Sequence, residues 1–77
     1  MLQAYILIQT EIGKTADVAA EIAAMEGVTS ASTVSGPYDV IAVTRAANVD
    51  DLGRLVVEKI QPVAGIVRTL TCPVVRL

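Results

Sequence analysis

Asp39 stands out among the eight carboxylates of this chain. It follows Tyr38 at the mouth of a Gly36-Pro37 turn and precedes the apolar run Val40-Ile41-Ala42-Val43. Asp17, Glu21, Asp50, Asp51 and Glu58 fall on solvated helix positions, and Glu11 and Glu26 sit at element ends. A charge at the start of a strand needs a partner. Either Asp39 caps the turn by accepting backbone N–H bonds, or it faces a cleft and holds the ammonium of a ligand.

The other reactive groups are few. There is no histidine, so an imidazole base and the usual nucleophilic triads are absent. Cys72 is the single thiol; Arg68 and Arg76 are each four residues away. It reads as a small apolar residue beside Pro73 rather than an activated nucleophile. One thiol without histidine excludes a structural zinc site. Gly27, Gly36 and Gly65 fall one to a loop, so no phosphate loop or dinucleotide fingerprint exists. No catalytic residue, metal or cofactor is expected.

Charge and hydropathy narrow the partners. Six basic and eight acidic residues give a net charge of −2, with no basic patch to grip nucleic acid directly. Tyr5 and Tyr38, the two aromatics, make a poor stacking platform. Apolar runs reach about five residues, as in Ala4–Ile8, too short to span a bilayer. The N-terminus lacks the pattern of a signal peptide. A cytoplasmic protein is expected.

These residues must be positioned by regular elements. Residues 2–9 read as a strand with Leu2, Ala4, Ile6 and Ile8 on one face and Gln3, Tyr5, Leu7 and Gln9 on the other. Apolar groups on both faces imply a sheet covered on both sides. Residues 15–26 are alanine-rich and carry Val18, Ala19, Ile22 and Met25 on one stripe, opposite Lys14, Asp17 and Glu21. Gly27 stops this helix. Residues 28–35 and 38–45 read as two strands joined by the Gly36-Pro37 turn. Asn48 caps a second helix, with Leu52, Leu55, Val56, Lys59, Ile60 and Val63 on its buried stripe and Arg54, Glu58 and Gln61 facing water. Pro62 and Gly65 end it. Residues 66–77 form a last strand, where Pro73 marks an edge or a bulge.

The order βαββαβ, with right-handed crossovers, gives a ferredoxin-like α+β fold: a four-stranded antiparallel sheet with both helices on one face. The whole chain, residues 1–77, reads as a single domain. At 53% hydrophobic, it is too apolar for its size, since a domain this small buries only about 60% of its unfolded surface. The sheet face bearing Tyr5 and Leu7 therefore calls for cover, and a second copy packed sheet to sheet is the simplest.

Three segments carry a family resemblance: Gly27-Val28, Val34-Ser35-Gly36-Pro37-Tyr38-Asp39-Val40, and Gly65-Ile66-Val67-Arg68-Thr69-Leu70-Thr71. Together they resemble the effector (RAM) domain of the Lrp/AsnC family of bacterial and archaeal regulators. That family shows a Gly-x-Tyr-Asp hairpin turn, a Gly-Val after each helix and an Arg-Thr-x-Thr last strand. Gly65-Ile66 is a mild departure from the Gly-Val pattern.

The resemblance implies a dimeric α+β assembly. Its dimers associate into octameric or decameric rings, and small effectors such as amino acids bind between them. Gly36, Tyr38, Asp39, Thr69 and Thr71 would line that pocket. Gly36 would allow close backbone approach, Asp39 would pair with an α-ammonium, and the two threonines would bond a carboxylate or amide. The family's DNA-reading helix-turn-helix finds no space in 77 residues that start at the first strand with Met1. The chain thus resembles the stand-alone effector domains, acting alone or with full-length relatives, though a piece of a longer regulator would look the same. A ligand-free oligomerisation module and a small cofactor-independent oxygenase or isomerase on the same scaffold are the alternatives. The enzyme would have to rely on Asp39 without histidine.

Overall fold

The computed structural model describes residues 1–76. The elements are β1 (Leu2–Thr10), α1 (Thr15–Ala23), β2 (Val28–Thr33), β3 (Val40–Ala46), α2 (Val49–Arg54), a π-helical segment (Leu55–Ile60) and β4 (Ile66–Pro73). The sheet order is β2-β3-β1-β4, with every pair antiparallel. This is the ferredoxin-like α+β arrangement expected from the sequence.

Strand alternation builds the core. Ala4, Ile6 and Ile8 on β1 are fully buried, as are Val40 and Ala42 on β3. Val18 and Ile22 of α1 and Leu52, Val56 and Ile60 of the second helix pack on this same cluster. Thr44, a polar residue inside the core, donates its hydroxyl to the Ala4 carbonyl at 3.0 Å, so its burial costs little.

The other sheet face is a set of cross-strand rows. Ser30, Val43, Tyr5 and Cys72 form one; Ser32, Ile41, Leu7 and Leu70 form the next. Tyr5 and Leu70 are 43% and 45% exposed, and no element among the described residues covers this face.

Several element boundaries differ from the sequence expectation. The first helix ends at Ala23 rather than Glu26, because Met25 N–H bonds the Ile22 carbonyl in a tightened turn and Gly27 then takes φ +91°. β2 ends at Thr33 and β3 begins at Val40, leaving Tyr38 and Asp39 in the connecting loop. The last strand ends at Pro73; Leu77 of the expected strand lies outside the described residues.

The second helix changes its winding midway. Asn48 caps it as expected, its side-chain oxygen accepting from Asp51 N–H at 2.8 Å. From Leu55 the helix is π, and Gln61 N–H reaches back five residues to the Val56 carbonyl at 2.8 Å. Pro62 supplies a physical reason: it has no N–H, and its ring would crowd the carbonyl four residues back in a regular α turn. A wider turn relieves that contact. It also turns Lys59 out of the buried stripe, so Lys59 is exposed while Val56 and Ile60 stay buried.

Pro73 sits on the edge strand, as its chemistry demands. Val74 N–H bonds the Gln3 carbonyl at 2.8 Å, pointing inward, so the adjacent Pro73 nitrogen faces the outer rim of the sheet, where no donor is needed.

Candidate functional site

Asp39 is half-buried, and its carboxylate is held by β1 rather than by its own turn. Thr10 N–H donates to Asp39 Oδ2 at 2.8 Å, and the Thr10 hydroxyl donates to the same oxygen at 3.3 Å. Because the Thr10 proton is used there, the Thr15 hydroxyl is the donor in the 2.7 Å contact between Thr15 and Thr10. The chain Thr15–Thr10–Asp39 thus ties the start of α1, the end of β1 and the hairpin loop together. Backbone bonds fix the same loop: Asp39 N–H to the Ile8 carbonyl and Val34 N–H to the Asp39 carbonyl, both at 2.9 Å. Asp39 Oδ1 takes no hydrogen bond from the described residues.

Tyr38 stands next to this carboxylate and meets Arg68. The Arg68 Nη2 lies 3.5 Å from the Tyr38 hydroxyl, and the guanidinium carbon lies 6.0 Å from the ring centre. Arg68 pairs with Gln9 across β1 and β4, so its side chain leaves the uncovered face and reaches over the end of β1 to the hairpin. The sequence reading did not place Arg68 in the site. Alternation could have found it: if Thr69 and Thr71 share one face, Arg68 must leave the other.

Thr69 and Thr71 do share a face, since they pair with the core residues Ile8 and Ile6. Thr69 Oγ1 accepts from Gln61 Nε2 at 3.2 Å. It opens into a cleft of about 380 Å³ with Gln61, Ile66, Val67 and Arg68. Thr71 opens into a different cleft of about 390 Å³, between Pro73 and the residues Leu52, Gly53 and Val56 of the second helix. Within one copy, then, the two threonines lie on the helix side of an edge strand, and the hairpin lies across β1 from them. No hydrogen bond among the described residues joins Gly36, Tyr38 or Asp39 to Thr69 or Thr71. Gly36 is exposed with φ +153°, and a Cβ there would meet no atom within 4 Å.

Gly65 sets the spacing behind the site. Its φ of +99° and its carbonyl bond to Glu11 N–H at 2.8 Å bring the loop before β4 against the start of α1, where a Cβ would lie 2.9 Å from Lys14 Cβ. At the opposite end of the sheet a cleft of about 440 Å³ is lined by Glu26, Arg45, Asp51, Arg54, Glu58 and Lys59, among others. These charges are solvated, and the Arg54–Asp51 pair at 3.1 Å is exposed on both sides, so it stabilises little. Among the described residues no group of three His, Cys, Asp or Glu could hold a metal ion, and no helix is long and apolar enough to cross a membrane.

A βαββαβ sheet with a Gly-x-Tyr-Asp hairpin on one side of β1 and an Arg-Thr-x-Thr edge strand on the other agrees with the family that the sequence resembles. Residues 3–77 match the Lrp/AsnC ligand binding domain, and the chain belongs to that family. It is 36% identical over 55 residues to an uncharacterised HTH-type transcriptional regulator of Pyrococcus furiosus, a match covering 71% of this chain and 37% of that protein. The chain therefore spans little more than a third of the curated relatives it matches. A solved structure from Thermus thermophilus, TTHA0845, superposes with a TM-score of 0.94 at 30% identity, covering 100% of this chain and 96% of that one. The transcriptional regulator NMB0573 of Neisseria meningitidis, solved as its L-Met complex, shares the fold with a TM-score of 0.86 at 21% identity, over 97% of this chain and 50% of that one.

Proposed function

We propose that residues 1–77 act as one regulatory domain that binds an amino-acid-like effector and assembles with further copies of itself, and that the chain is not an enzyme. The observation that carries the reading is the Asp39 carboxylate. It is half-buried at the hairpin mouth, oriented through Oδ2 by Thr10, and retains Oδ1 for a cationic partner. An α-ammonium fits that oxygen. Membership of a family defined by its ligand binding domain supports the reading, as does a fold neighbour with L-Met bound.

The separation of the hairpin from Thr69 and Thr71 within one copy has a natural resolution in the assembly. The hairpin of one copy faces the last strand of another, and Gly36, Tyr38, Asp39, Thr69 and Thr71 line the pocket from two sides. The uncovered rows around Tyr5, Leu7 and Leu70 pair two copies sheet to sheet into a dimer, and dimers close into an octameric or decameric ring. In the cytoplasm such a ring senses the effector. Its action on genes passes through relatives of the family that carry the HTH unit, without direct contact between this domain and nucleic acid.

A thermal-shift panel of the twenty common amino acids tests the binding. A ligand at a hundred times its Kd stabilises the folded form by about 2.7 kcal/mol, read as a rise of several degrees in Tm. No rise with any amino acid overturns the effector role. Light scattering that shows a monomer at micromolar concentration overturns the assembly.

A further inference from the structure

We infer that Arg68 receives the carboxylate of the effector, a reading that rests on the amino-acid binding proposed above. Three observations converge on this side chain. It meets the hairpin: its side chain leaves β4 on the face opposite Thr69, and its guanidinium lies 3.5 Å from the Tyr38 hydroxyl. It also carries an unneutralised charge. Among the described residues the ion pair within 4 Å is Arg54–Asp51, and Arg68 has no carboxylate partner. Finally, it is directed toward the hairpin, with the Tyr38 ring centre 6.0 Å and the Tyr38 hydroxyl 3.5 Å from the guanidinium, while most of its donors remain free.

The chemistry follows from these positions. A guanidinium presents a planar fork that matches a carboxylate with two parallel N–H···O bonds. Asp39, next to Tyr38 in the hairpin loop, and Arg68, in contact with Tyr38, then supply opposite charges at the hairpin. That pairing selects a zwitterion over an amine or a simple acid. Thr69 and Thr71 without Arg68 would offer only neutral hydrogen bonds, which distinguish a carboxylate from a carboxamide poorly.

The test compares a free amino acid with its α-carboxamide by titration calorimetry, using the panel member that binds the wild-type chain most tightly. The wild type binds the acid about ten- to a hundredfold more tightly than the amide, the strength of hydrogen bonds to a charged group. R68Q loses that preference by weakening the acid alone, with the amide unchanged. R68K, which keeps the charge and loses the fork, falls between them. Arg68 is exposed, and circular dichroism checks that each variant keeps the wild-type fold. An R68Q chain that still prefers the acid, or that loses acid and amide in equal proportion, overturns the role of Arg68 and leaves amino-acid binding intact. A wild-type chain that binds none of the panel overturns both.

Discussion

Thr10 gives both its backbone N–H and its hydroxyl to one oxygen of Asp39, a residue 29 positions later. The buried end of β1 thereby fixes the direction of the carboxylate. Thr10→Val keeps the N–H and the side-chain shape but removes the hydroxyl. The loss of its bonds to Asp39 and Thr15 should cost about 1–2 kcal/mol in urea unfolding. It should also weaken effector binding without abolishing it, since the N–H still holds Oδ2. Thr15→Val leaves the Asp39 bonds in place, so it should lower stability and leave affinity near the wild-type value.

Gly65 and Gly36 both have positive φ, but their surroundings differ. Gly65→Ala must strain the backbone and push Lys14 Cβ and Val18 Cγ2 away from 2.9 and 3.1 Å, so it should destabilise by about 2–4 kcal/mol. Gly36→Ala meets open space and should cost only the backbone term, about 1 kcal/mol. Chemical denaturation of the two variants side by side measures the difference. Equal losses would show that packing against α1 is irrelevant at Gly65.

The uncovered sheet face makes its own prediction. Leu70→Glu puts a charge beside Leu7 at the β4 end of its cross-strand row. It should shift sedimentation from oligomer toward monomer at a given concentration. An equally exposed change on the helix side, Glu58→Lys, should leave the sedimentation coefficient as it is.

Asn48→Ala removes the side-chain acceptor from Asp51 N–H and should lower stability by about 1 kcal/mol, measured by thermal or urea unfolding.

The sequence carried the fold because its strongest signals are local. Alternation on β1 separates Ile6 and Ile8 from Tyr5 and Leu7, and Asn48 three residues before Asp51 marks a helix start; neither depends on distant contacts. The π segment was not legible. Its cause, the missing N–H of Pro62, acts on winding several residues earlier, and the apolar spacing of Val56 and Ile60 fits either helix. The candidate site was legible in its residue types and not in its geometry. Asp39 stood out as a charge needing a partner, yet nothing near it in the chain points to Thr10. Thr69 and Thr71 share a strand face, but the clefts they open into are set by Gln61 and by the second helix, which strand alternation does not encode. Arg68 escaped because its contact with Tyr38 crosses a strand and spans 30 residues.

Pro73 bears on how far assembly can go. The rim of an edge strand is a template on which a foreign strand can add, and repeated addition builds fibres. At Pro73 that template lacks one donor. Strand addition at this end of the rim is therefore discouraged, and the edge strand is less open to fibre growth than an uninterrupted one.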